Sequence, residues 1–251
     1  MSSSLGIWIV RSGAAKLGRY LETNLGAELG GLGNEGATNR EAFSSKFNTY
    51  SQWILVMAAG IAVRYLEGLT RHKAIDPGVV VIDEGCRFVV PLLGGHEGGA
   101  NFLAYRVANV TGAVPVVTTA TETLKPLVVG LGCRKGAGID QIASAVGCAL
   151  STVSRSKTEI REVATVDLKS EEPGIIKWCE ELSVPLRLIP RSLIQDRPWV
   201  FERSTFVYSH FAIEGVCEPC ALLATFKGRL IVRKMMRNGV AVAIAEEVSW
   251  I

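Results

Sequence analysis

No apolar run in this chain is long enough to span a bilayer. The longest, WILVMAAGIAV over Trp53–Val63, stops at Arg64, well short of the roughly 20 residues a membrane helix needs. A strong charge of either sign is missing too: 27 Lys and Arg stand against 24 Asp and Glu, a formal net charge of +3. So mild a balance argues against nucleic acid or an anionic membrane surface as partner. MSSSLGIWIV carries no basic segment ahead of its apolar stretch, so no secretory signal is expected. Six cysteines are scattered at 86, 133, 148, 179, 217 and 220, a pattern read as reduced thiols rather than a disulfide framework. The expectation is a cytoplasmic protein.

Several catalytic templates are also lacking. There is no Gly-x-Ser-x-Gly elbow and no His-Glu-x-x-His pair, which removes the usual hydrolase and metalloprotease signatures. The glycine loop at 92–101, LLGGHEGGAN, matches neither Gly-x-Gly-x-x-Gly nor a loop ending in Gly-Lys-Ser/Thr, so it carries no phosphate fingerprint. No repeat of solenoid type is visible.

What is present is core-forming material, 48% hydrophobic against 20% charged, in short β-rich runs alternating with helical patterns. That alternation predicts an α/β fold with strand–glycine-loop–helix units. LGIWIV (5–10) reads as a buried strand and Ala14–Leu25 as a helix; the glycine-rich stretch around Gly30–Gly36 gives weak signals. GVVVIDE (78–84) and RFVVPLL (87–93) are strands around a turn, and VPVVTTAT (114–121) is expected to be another. Leu103, Val107 and Val110 share one face of a helix closed by Thr111-Gly112. Lys125-Pro126 marks a boundary, giving an N-terminal α/β domain over 1–125 and a C-terminal one over 126–251. In the second, LVVGLGC (127–133) opens a new series, Ser170-Glu171-Glu172-Pro173 starts a helix, and Arg237-Asn238-Gly239 turns a terminal hairpin.

Two glycine loops stand out. LLGGHEGGAN (92–101) follows a strand and opens a helix, an arrangement whose N–H groups and dipole receive phosphate or carboxylate. His96 at its apex is placed to orient a substrate or move a proton; alternatively the glycines serve only a tight turn. GLGCRKGAG (130–138) sets Arg134 and Lys135 beside a second helix start, either a carboxylate cradle or a solvated basic turn. Cys133 there is a nucleophile with a lowered pKa or a packing residue. Arg64 is a bidentate carboxylate clamp or a surface arginine. Thr118, Thr119 and Glu122 offer polar groups at a strand end. Cys217-Glu218-Pro219-Cys220 is a lone C-x-x-C without a partner pair, read as the first turn of a helix.

These stretches together resemble the cobalt-precorrin-5A hydrolase (CbiG) family of anaerobic cobalamin biosynthesis. AGIAVR (59–64), DPGVVVIDEGCRFVVPLLGGHEGGAN (76–101), GAVPVVTTATE (112–122), VVGLGCRKG (128–136), DLKSEEPG (167–174), EPCALLA (218–224) and GVAVAIA (239–245) carry the likeness in order. Family members usually hold a further segment between the two blocks, which this shortened chain lacks. The chain also has Gly94 where serine is typical, Glu97 where an apolar residue is usual, and Glu122 in place of aspartate. Cys220 is not a shared feature.

The resemblance implies water-driven opening of the ring A δ-lactone of cobalt-precorrin-5A and loss of the C20 unit as acetaldehyde. It implies no cofactor and no protein-bound metal, because the cobalt belongs to the substrate. His96 is the expected proton carrier. Arg64, Gly95, Gly98, Gly99, Asn101, Thr118, Thr119, Arg134 and Lys135 are the expected contacts to the small-molecule corrinoid. A homo-oligomer and transient contacts with neighbouring pathway enzymes are compatible with this reading. The competing one is a carrier that holds a corrinoid without turning it over.

Overall fold

The computed structural model describes residues 5–31, 36–199, 208, 213 and 215–248. The chain divides into two compact units, Met1–Thr119 and Ala120–Ile251. Among the described residues no helix is long and apolar enough to cross a membrane.

Unit 1 is a six-stranded sheet between helices. In chain order it contains β1 (Leu5–Ile9), α1 (Ala15–Leu25), β2 (Glu28–Gly30), α2 (Gly36–Lys46), β3 (Gln52–Val56) and α3 (Ala59–Leu66). Then follow β4 (Gly78–Ile82), β5 (Phe88–Leu93), α4 (Ala100–Thr111) and β6 (Val114–Pro115). The sheet order is β2-β1-β3-β4-β5-β6. β1 to β4 run parallel, and β5 runs antiparallel to β4. The central strands are continuous apolar runs because both faces are covered: Leu21, Leu103 and Val107 pack on one side of the sheet, and Phe43, Phe47 and Tyr65 on the other.

Gly36–Lys46, following the glycine-rich stretch, is a helix for which the sequence offered no reading. α2 looks polar because one of its buried positions is Asn39. Asn39 Oδ1 accepts from the Trp8 indole at 2.7 Å and from the Tyr65 hydroxyl at 3.1 Å. Phe43 meets Trp8, Trp53 and Tyr65 edge-on or tilted, and burying a ring of that size stabilises by about 2 kcal/mol. The strand expected over 114–121 is corrected. Its ladder ends at Pro115, with one further bond from Val116 N–H to the Val89 carbonyl, and Ala120–Thr123 is a helical turn, α5, at the start of unit 2.

Unit 2 continues with β7 (Leu127–Cys133), α6 (Ile139–Ser151), β8 (Ile160–Val166), α7 (Pro173–Leu182) and β9 (Leu186–Ile189). It ends with α8 (Arg191–Gln195), α9 (Cys217–Ala224), β10 (Gly228–Arg237) and β11 (Val240–Glu247). The order is β10-β11-β7-β8-β9, with β7, β8 and β9 parallel and the terminal hairpin antiparallel. Ile142, Val146, Ile175 and Trp178 fill one face; Cys220 and Ala224 fill the other with Val128, Ala164 and Val166. Asn238 and Gly239 both take positive φ, 51° and 79°, the geometry of a type I′ turn.

Candidate functional site

The loop Gly94–Gly99 leaves β5 at an edge the local sequence does not reveal. Because β5 is antiparallel to β4, Leu93 pairs with Val79, and the loop emerges where β3 and β4 begin. Gln52 there donates to the Gly98 carbonyl at 2.9 Å. The glycines meet backbone: a β-carbon on Gly98 would lie 2.7 Å from Gly78 N, and one on Gly94 would lie 3.2 Å from the α-carbons of Gly78 and Gly98. Gly94 and Gly99 also hold positive φ, 63° and 70°, where a side chain is strained.

The start of α4 is capped by this loop. Gly99 N–H donates to the His96 carbonyl, Ala100 N–H to Gly94 and Asn101 N–H to Gly95, each at 3.0 Å. The N–H groups of Gly99, Ala100 and Asn101 therefore donate within the chain rather than to the phosphate or carboxylate expected there. His96 stands exposed at the apex. Exposed Glu97 pairs with Lys73 at 3.2 Å; its own backbone N–H, then Lys73, hold its carboxyl below the ordinary range.

Three of the expected contacts come together beside the loop. Buried Asn101 donates through Nδ2 to Thr119 Oγ1 at 3.0 Å, and a β-carbon on Gly95 would lie 3.0 Å from Asn101 Oδ1. That oxygen is buried with no hydrogen-bond donor among the described residues. Thr118 is exposed. Arg64 lies on the exposed side of α3, a helix that leaves β3 at the end opposite this loop. A concavity of about 740 Å³ opens on the loop's edge, lined by Asn48, Tyr50, Gln52, Asp76, Glu97 and Gly98 among others. Its acids are Asp76 and Glu97, so it is no cradle for carboxylates. Burial, with help from Glu28, pushes the Tyr50 hydroxyl up to about 12.

In unit 2, Arg134 and Lys135 are exposed on the turn between β7 and α6. The turn is fastened on three sides. Arg134 N–H donates to the Gly239 carbonyl at 3.1 Å, and Gly138 N–H donates to Gln141 Oε1 at 2.8 Å. Gly136 N–H donates to Glu172 Oε1 at 2.7 Å. The expected carboxylate cradle thus already holds a carboxylate of the chain itself. The other Glu172 oxygen takes Lys169 Nζ at 2.9 Å. Burial works against this charge, but Lys169, the Gly136 N–H and Lys135 outweigh it and hold the carboxyl below its usual value.

The thiol readings also resolve. Burial pushes Cys133 up, with Lys169 only partly offsetting it, which corrects the nucleophile reading; its sulfur packs against the core. Cys217 and Cys220 sit on α9 under the sheet. Burial drives Cys217 to about 12 and Cys220 well above the ordinary thiol value. Sequence reasoning missed Gln52, Gly78 and Lys169, and gave Glu172 only a place at a helix start. Pro77-Gly78 before a strand was the available sign for Gly78.

Family comparison agrees with the geometry of two units. Residues 41–122 match the family model described as cobalamin synthesis G N-terminal, and residues 127–245 match cobalamin synthesis G C-terminus. A "Probable cobalt-precorrin-5A hydrolase" of Methanocaldococcus jannaschii is 27% identical, covering 78% of this chain and 85% of the relative. The "Cobalt-precorrin-5A hydrolase" of Salmonella typhimurium is 25% identical, covering 86% and 85%. That of Priestia megaterium is 31% identical, covering 71% and 48%. The first two alignments run over 276 and 307 positions, more than the 251 residues here, so those relatives carry residues with no counterpart in this shorter chain. With one unit matching each half, the chain belongs to the cobalamin synthesis G (CbiG) family.

Proposed function

We propose that this chain is a cobalt-precorrin-5A hydrolase. The observation that carries the reading is that both family halves follow one another in one chain, with relatives of that name matched over 85% of their length. The substrate is a cobalt corrinoid fringed with carboxylates, and the cobalt enters with it, so the protein need supply no metal.

The reaction asks for three things. Water must lose a proton as it attacks the lactone carbonyl, the tetrahedral oxyanion must be held, and the lactone C–O bond must break. The hydroxyl freed on C20 then gives up its proton as the carbon–carbon bond breaks. C20 and its methyl depart as acetaldehyde, and the electron pair left on the ring is protonated. His96, exposed at the loop apex, is the proton carrier in this scheme. Thr119 and Asn101 hold the loop from behind, while Arg134 and Lys135 meet peripheral carboxylates.

Incubation with cobalt-precorrin-5A tests the reading: acetaldehyde release with the matching mass loss supports it. His96→Ala should slow release by about 100-fold or more, the usual scale for a lost acid–base group; an unchanged rate removes His96 from the mechanism. The shorter length of this chain motivates one rival, a corrinoid carrier. Binding without acetaldehyde release would establish that rival instead.

A further inference from the structure

The parallel strands β7 and β8 lie side by side, so the turns that leave them share one edge of unit 2. From β7 comes Cys133–Gly136; from β8 come the short turn Asp167–Lys169 and then α7. Glu172 lies between the two, only 5% exposed, with one oxygen on Gly136 N–H at 2.7 Å and the other on Lys169 Nζ at 2.9 Å. Lys135 is close enough to act on the same carboxyl, and Lys169 close enough to act on Cys133. A β-carbon on Gly174 would collide with the Ala137 carbonyl, so α7 is pressed against the β7 turn and the carboxylate has little room to move.

We infer that Lys169 is a further substrate-binding residue, a ligand for a peripheral carboxylate of the corrinoid, and that Glu172 is the positioning residue that aims it. The inference rests on the proposed hydrolase reading. A lysine ammonium carries three N–H donors and the Glu172 oxygen takes one. The Lys169 side chain is 22% exposed, so a lysine fixed on Glu172 is still partly open to solvent. With Lys135 it sets two cations beside one buried carboxylate. The neighbouring acid Asp167 is engaged by the Arg191 N–H at 3.1 Å, and exposed Glu171 precedes Glu172 in the chain. A fixed ammonium loses less side-chain freedom on meeting its ligand than a free one does.

A purely structural pair would move stability and leave substrate affinity alone, so the test reads KM, kcat and their salt dependence. Lys169→Gln should raise KM for acetaldehyde release about tenfold with kcat nearly kept, the mark of lost uniform binding. It should also flatten the rise of KM with salt, and Lys169→Arg should restore most of the affinity. Glu172→Gln keeps an oxygen for the Gly136 N–H but loosens the lysine, and should raise KM about fivefold. In the double variant KM should match that of Lys169→Gln alone, because Glu172 acts through Lys169. Wild-type KM and salt response in Lys169→Gln, or fully additive effects, overturn the inference. If the wild-type protein releases no acetaldehyde, the hydrolase reading fails. The inference is then decided by uroporphyrin I, a porphyrin octacarboxylate, through its Soret shift at low salt. About tenfold weaker binding by Lys169→Gln upholds it, and equal binding overturns it.

Discussion

The carbonyl oxygen of Gly98 lies against the α-carbon of Gly78, so close that a β-carbon on Gly78 would overlap it. This contact seats the histidine-bearing loop on the first residue of β4. Neither partner can gain a side chain without pushing backbone on backbone, which neither rotamer change nor solvent can relieve.

Gly78→Ala and Gly98→Ala should each lower the unfolding free energy by about 2 kcal/mol. Gly60→Ala is the contrast: it lies in α3, with nothing within 4 Å of an added β-carbon, and should be neutral or stabilise by up to about 1 kcal/mol. Urea unfolding measures all three. Equal midpoints for Gly78→Ala and Gly60→Ala would remove the packing argument.

The Asn101 side chain depends on Thr119. Its Oδ1 has no donor among the described residues, and its Nδ2 donates to Thr119 Oγ1. Thr119→Val leaves that donor stranded in the interior and should destabilise by about 1–3 kcal/mol, whereas Thr119→Ser keeps the hydroxyl and should lose little. Thermal melts of the two variants decide, and coincident melts would mean that this bond contributes nothing.

Glu172 makes acid stability readable. Its folded carboxyl lies below the ordinary value of 4.5, so the unfolded chain binds the proton more readily. The stabilisation is complete above the unfolded value and is lost as pH falls through the folded one. The stability difference between wild type and Glu172→Gln should therefore be flat above about pH 5 and shrink at lower pH. Urea unfolding between neutral and acid pH tests this, and a difference that holds steady into acid would contradict it.

The buried thiols give a chemical check. Cys179 and Cys217 are pushed up to about 12, and Cys220 well above the thiol range, in each case by burial first. Iodoacetamide at mildly alkaline pH should leave all three unmodified in the folded protein and label them in denaturant, because the thiolate is the reactive form. Mass spectrometry of the peptides reads the result. Rapid labelling of Cys217 or Cys220 in the native state would contradict the burial of these thiols.

Much of the secondary structure was legible because it is written locally. Continuous apolar runs marked β1, β4 and β7, Pro173 marked the start of α7, and Asn238-Gly239 marked the final turn. α2 escaped because Asn39, a polar residue, occupies a core position, and only the Trp8 and Tyr65 donors from distant segments explain it. The expected strand over 114–121 failed past Pro115, since strand propensity cannot supply a ladder partner.

By itself the sequence determined the alternation of strands and helices, the glycine loops and the family they resemble. These depend on residues a few positions apart, where periodicity, capping and turn chemistry act. The tertiary structure alone decided what those loops touch. It reversed β5, carried the His96 loop to the edge where β3 and β4 begin, and separated it from the strand end that leads to Arg64. It also set Glu172 on Gly136, 36 positions away, turning an apparent cradle into a fastened one. A loop's glycines announce that something approaches closely. Which backbone or carboxylate it is depends on strand direction and on burial of polar partners, and both are settled only when distant segments pair.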